Sequence, residues 1–249
     1  MFPTLTFNEL ATTLIVPVSQ PQEFRLDSLY QRGIVDRSWS IIEPPLYAYG
    51  QIQLKFAQGT ISVEPNRIGL IHQQSDIDAA KSWSLASARR CIACFPNFAY
   101  EGIGFCLTGI LRVSEPHTQP EALLRQTLLP VGQWHSIEQI DPCVVLKLVY
   151  PLPGRELALL VAEGGIKEQD TMQPTINLRA TLMYTVSEVE SAHRVAALNT
   201  ALDRYIEDVK LCKSLIKHYC QQILGTQPRV ATRSRRRIRV VRSIIAAQP

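Results

Sequence analysis

No stretch of this sequence approaches the ~20 consecutive apolar residues that a membrane-spanning helix needs. The longest apolar run, residues 143–162, is interrupted by Lys147, Pro151, Pro153, Arg155 and Glu156. The N-terminal segment MFPTLTFNELATTLIVPV lacks the basic start and small-residue cleavage site of a secretory signal. Asn-x-Ser/Thr sequons are absent as well. The expectation is a soluble, cytoplasmic protein without a membrane-spanning helix. Cysteine is sparse for the length, six in 249 residues, which fits reduced and mostly buried thiols better than a disulfide framework.

Charge is also scarce, at 19% of residues, and it is unevenly placed. The last 21 residues, 229–249, hold seven arginines and no Asp or Glu. The remainder holds 19 basic against 22 acidic residues, a net of −3, so the overall +4 belongs to the tail. An acidic body gives no compositional support to a basic nucleic-acid groove within the fold. Hydrophobic residues at 46% are enough for a sizeable core and argue against disorder over the whole length.

The motifs of several enzyme classes are missing too. There is no Walker sequence, no Gly-x-Ser-x-Gly elbow and no His-Glu-x-x-His helix. Gly102-Ile-Gly104 leads into IGFCLTGILRV, a strand pattern, whereas a dinucleotide loop must lead into a helix whose N-terminus meets the phosphates. His72, His117, His135, His193 and His218 are scattered singly. Glu101 and Glu163 are candidate buried carboxylates, useful for acid/base work only if their environments separate their pKa values. The sequence therefore carries no catalytic signature and implies no cofactor.

Cys91-Ile-Ala-Cys94 has the spacing of a zinc or redox pair. Completing a tetrahedral site would require Cys212, His218 or Cys220 to meet a strand beginning near Cys91. Buried structural thiols are the simpler expectation, and Cys91 and Cys94 stand as minor metal candidates.

What is present is periodicity. QIQLKF (51–56) alternates Ile52, Leu54 and Phe56 against Gln51, Gln53 and Lys55, the two-residue period of a half-buried strand. AQGT supplies a turn, and TISVEP and RIGLI continue an antiparallel meander. TTLIVPV (12–18) is a short β-type run, followed by an irregular connection over 19–49. The segment 75–90 predicts a helix capped by Ser75 or Asp76, with Ile77, Ala80, Ser84 and Ala88 inward. A short helix is expected at PEALLRQTLL, with Pro120 in its first turn. CVVLKLVY and ELALLVAE flank PLPGR, a hairpin signal. TINLRATLMYTV (175–186) alternates throughout.

From Ser187 to Leu224 the pattern predicts one long helix, with Ser187 and Glu190 at capping-box spacing and Gly225 as its stop. Val195, Leu198, Leu202, Tyr205, Val209, Cys212, Ile216, Tyr219 and Ile223 follow steps of three and four. Such a stripe packs the helix on its own sheet or forms a dimer seam. Ile206, Leu211 and Leu215 broaden it, which favours a sheet as the surface beneath.

The fold class is α+β: antiparallel sheet in two similar-style halves, a long C-terminal helix, and a basic extension. The expected division is 1–114, 115–225 and an Arg-rich tail over 226–249. Whether the halves share one sheet is open at this level.

The tail residues Arg229, Arg233, Arg235, Arg236, Arg237, Arg239 and Arg242 are the principal candidate binding residues, able to attract any polyanion. No aromatic residue follows Tyr219, so bases would find no stacking platform there. Ile238, Val240, Val241, Ile244 and Ile245 make the tail more than a charge run, and Arg-Ile-Arg-Val alternates as an edge strand would. The leading expectation is a non-enzymatic interaction or assembly protein that docks another protein or a second copy through the helix and tail. Nucleic-acid contact through phosphate is the alternative, with an enzyme whose site no motif reveals behind it. Simple solubilisation stands level with nucleic-acid contact, and membrane contact ranks below.

Overall fold

The computed structural model describes residues 3–17, 21–48, 50–73, 78, 82–112, 120, 123–124, 127, 144–168 and 171–225. Their core is one nine-stranded antiparallel sheet. In chain order the strands are β1 (Thr4–Ile15), β2 (Leu46–Ala48), β3 (Gln51–Phe56), β4 (Gly59–Glu64), β5 (Arg67–Gln73), β6 (Gly102–Arg112), β7 (Val145–Leu152), β8 (Arg155–Glu168) and β9 (Thr171–Thr185). In space they run β2-β3-β4-β5-β1-β6-β9-β8-β7. The strands of residues 1–114 thus continue into those of 115–225 through the β6–β9 pairing.

The helices are α1 (Leu26–Gln31), α2 (Trp83–Cys94), α3 (Ser191–Asp203) and α4 (Tyr205–Ile223), with one 3-10 turn at Pro21–Phe24. α2 lies on β1 and β5, α4 lies on β6 and β9, and α3 touches both α2 and β6. The register explains why they gather on one face. Opposed residues in an antiparallel ladder share a face. Leu54, Ile61, Leu70, Thr12, Phe105, Leu182, Leu157 and Tyr150 form one such cross-strand row. Six of these eight are buried apolar side chains, and most of the flanking positions are too. Fully burying a Leu or Ile contributes about 1.5–3 kcal/mol. The other face carries Gln53, Lys55, Ser62, Thr108 and Arg179, and no described helix covers it.

β1 is much longer than the run at 12–18 suggests and occupies the middle of the sheet. Leu10, Ala11 and Thr12 are all buried, so the strand shows no clean alternation there. A bulge between Phe7 and Glu9 re-phases its pairing with β6. The connection over 19–49 contains the 3-10 turn, α1 and β2 rather than being wholly irregular.

α2 starts later than the sequence predicts, and most of 74–81 lies outside the described residues. Ser82 is its N-cap, but the Ser82 hydroxyl lies 2.7 Å from that of Ser84 and makes no capping bond. Cys91 and Cys94 sit in the last turns of this helix, not at the start of a strand. Of PEALLRQTLL only residues 120, 123, 124 and 127 are described, and all are helical.

The predicted single C-terminal helix is two. At Arg204 the backbone N–H bonds the carbonyl of Ala201, three residues back, which tightens the turn and separates α3 from α4. The expected capping box does not form either. α3 begins at Ser191 with Glu190 as N-cap, and the Glu190 carboxylate instead lies 3.4 Å from His193 Nδ1. Gly225 follows the end of α4 with φ +66°.

Candidate functional site

The stripe along α3 and α4 is consumed by the fold. Leu198, Leu202, Tyr205, Val209, Cys212, Ile216 and Ile223 are buried within this chain, while Val195 and Tyr219 are half-buried. α4 settles closely because β6 offers Gly109 beneath it. A Cβ there would stand 3.2 Å from Ile216 Cγ2 and 3.2 Å from Leu5 Cδ1. Ile206 and Leu211 remain 38% exposed on the outer side of α4.

Three polar groups join the helices to the sheet. Thr12 Oγ1 donates to Ser84 Oγ at 3.2 Å, and the Ser84 hydroxyl lies 3.1 Å from Tyr205 OH, linking β1, α2 and α4. On α4, the Asp208 carboxylate is 1% exposed and lies 3.3 Å from Arg155 Nη1. Tyr184 OH donates to the same carboxylate and accepts from Arg155 Nη1 at 2.9 Å. Burial first, then the Asp208 hydrogen bond and charge, push the Tyr184 phenol up to about 12, against the opposing pull of Arg155. Further along, Tyr150 OH and Tyr219 OH lie 2.8 Å apart. Each network ties elements together, although Arg155 Nε is buried without a hydrogen-bond partner among the described residues.

Nothing in the sequence reading singled out Asp208 or Arg155. A signal was present: Asp208 lies three residues after Tyr205 and four before Cys212, on the face that the stripe buries. A carboxylate at such a position requires a partner.

The cysteine pair does not meet the distant thiols. Cys91 is 1% exposed in α2, and burial pushes its thiol up to about 12. Cys94 is half-buried and its Sγ donates to the carbonyl of Arg32 at 3.7 Å. Cys212 and Cys220 belong to α4, and their thiols are also raised to about 12 by burial. Among the described residues, no three His, Cys, Asp or Glu side chains gather as a metal site. Glu101 is exposed and Glu163 half-buried; His193 and His218 are exposed. His117 and His135 lie outside the described residues.

A surface hollow of about 310 Å³ lies between Pro21, Arg25, Tyr47 and Gln51. The Arg25 guanidinium is 5.3 Å from the centre of the Tyr47 ring. Among the described residues of the lining it is the one charged group, with no acid or base opposite it.

The seven tail arginines, Arg229 to Arg242, lie outside the described residues, beyond the end of α4. No described helix is long and apolar enough to cross a membrane. No protein-family model matches the chain, and comparison with curated proteins gives no match either.

Proposed function

We propose that this is a non-enzymatic docking or assembly protein of the cytoplasm, whose body carries the Arg-rich segment to an acidic partner protein. The observation that carries the reading is the separation of charge. Seven arginines stand in the last 21 residues, while the remaining chain has a net charge of −3. The segment follows α4, a helix held to the sheet at Gly109 and along its buried stripe. Apolar residues interleaved with the arginines suit a protein surface, where both kinds of side chain find partners. The polar networks of the body serve packing, which accords with a scaffold.

The test compares the full chain with a full-length variant in which all seven tail arginines are Gln. Capture from lysate, cross-linking and identification of the captured proteins should give acidic partners for the first and lose them for the second. Equal capture by both chains removes the reading.

The second reading is phosphate contact with nucleic acid, favoured by the same arginines. Seven phosphate contacts on a duplex would give a salt slope of about −6. Filter retention of duplex DNA across a salt series decides it: retention that falls with salt and needs the arginines supports nucleic acid over a protein partner.

A further inference from the structure

Both edges of the sheet are visible, and they differ. β2 is three residues long and follows Pro44 and Pro45, so it offers little backbone to a further strand. β7 is eight residues long, and no described residue pairs with its outer side. Its side chains alternate between exposed and half-buried along the whole strand, with Val145 59% and Val149 39% exposed.

The turn fixes which backbone groups face outward. Pro153 and Gly154 alone separate β7 from β8, and Leu152 opposes Arg155. A two-residue hairpin loop makes that closing pair hydrogen-bonded, and bonded pairs then alternate along the ladder. Leu152, Tyr150, Leu148 and Leu146 therefore turn their amides to β8. Pro151, Val149, Lys147 and Val145 turn theirs to the free edge. Pro151 stands at an outward position with no N–H to give, so a strand pairing there bonds its carbonyl alone.

We infer that β7 is the interface of a symmetric dimer, in which two copies pair β7 to β7 antiparallel about a two-fold axis at Val149. The dimer joins their sheets into one and needs nothing from the tail. Charge disfavours the registers on the Lys147 side of this one. An axis at Lys147 would set two lysines directly opposite, and an axis at Leu148 would leave them diagonal neighbours; like charges so placed repel. With the axis at Val149, Lys147 opposes Pro151 of the other copy, and Glu156 lies next to that proline in the same cross-strand row. Lys147 and Glu156 are both exposed, so each can reach the other across the small proline ring. The same register lets Val149 N–H bond the opposing Val149 carbonyl, and Lys147 N–H bond the Pro151 carbonyl. On the helix side, Leu148 meets Tyr150 and Leu146 meets Leu152, covering four side chains that the single chain leaves half-buried. The blunted β2 edge makes β7-to-β7 pairing close on itself rather than propagate.

Sedimentation of the full chain tests this, with circular dichroism and thermal melting to confirm the fold of each variant. The wild-type chain should sediment at twice its 28.0 kDa mass. Val149→Lys, which puts two cations on the axis, should give a monomer. Lys147→Glu should weaken the dimer about tenfold or more, and adding Glu156→Lys should restore it. A monomeric wild type overturns the inference, as does a dimer that survives Val149→Lys. So does a dimer that these changes spare but replacement of the tail arginines abolishes, because the tail would then be the occupant. Failure of the tail to capture an acidic partner leaves these results untouched, so the two proposals fail separately.

Discussion

Asp208 is a buried anion whose cation, Arg155, reaches it from the first residue of β8, just past the β7–β8 turn. The carboxylate is 1% exposed and the Arg155 side chain 12%. Tyr184 completes the triangle, donating to Asp208 and lying under the guanidinium at 5.7 Å from its ring centre. Asp208 also stands in the first turn of α4, where the helix dipole favours negative charge. The first turn of α4 is thus clamped to β8 and β9 at one point.

Breaking that clamp should be costly, because removing one partner strands the other charge in the interior. Arg155→Met is expected to destabilise the protein by about 3–5 kcal/mol. Combining it with Asp208→Leu should recover most of the loss, since an apolar pair of similar size leaves no charge unpaired. Urea denaturation of the wild type, both single variants and the double variant gives the coupling. Additive losses would mean that the two side chains do not act as a pair.

Alkaline pH should weaken the same place through Tyr184. Its phenol is raised from 10.0 to about 12 in the folded chain. The unfolded chain loses that proton first, so the contribution is fully present below pH 10.0 and is lost as pH rises toward 12. Tyr205 is buried and raised as well, so the informative quantity is a difference. Melting temperatures of Tyr184→Phe should fall less steeply than those of the wild type across this interval. Parallel curves would show that the Tyr184 proton is not linked to folding.

Much of this architecture was written in alternation. Gln51–Phe56 and residues 175–186 place inward the residues that periodicity assigns, although Thr175, on the opposite face of β9, is buried as well. β1 was legible only in part, since a central strand buried around Leu10–Thr12 loses the two-residue signal. The break at Arg204 left no mark, because Arg is a good helix former and the stripe runs through it without a change of step. The candidate site divided the same way. The stripe residues were visible as apolar spacing. The Asp208–Arg155 pairing needs a hairpin and a helix to meet across 53 positions of sequence, which no local pattern encodes.

Gly59 is the glycine least open to replacement. It begins β4 at φ +149°, opposite Phe56, where the turn must close. A Cβ there would run into the Ile71 carbonyl oxygen and stand 3.0 Å from the Trp83 ring. Trp83 in turn donates its indole N–H to the Gln58 carbonyl at 2.9 Å, so α2 is seated on this turn. Gly59→Ala should destabilise by about 1–3 kcal/mol through overpacking and backbone strain. Gly154→Ala should cost less, because it shares a positive φ but meets nothing within 4 Å. Chemical denaturation of the two variants tests the order, and a reversed order would mean that the close approach at Ile71 relaxes without cost.

Thiol labelling offers the last check, because it reads packing residue by residue. Burial raises Cys91, Cys212 and Cys220 to about 12 each. At pH 8 the reactive thiolate of such a group is on the order of one part in 10⁴. Access is closed as well: Cys91 sits under the end of α2 at 1% exposure and Cys212 lies beneath α4 at 0%. Cys94 occupies the same helix as Cys91, three residues on, and is only half-buried. Maleimide treatment of the native protein, followed by peptide mapping, should therefore label Cys94 well before Cys91, Cys212 or Cys220. These three should become reactive together in denaturant, at the rate of unfolding. Equal labelling of Cys91 and Cys94 under native conditions would mean that the end of α2 does not rest on the sheet as described.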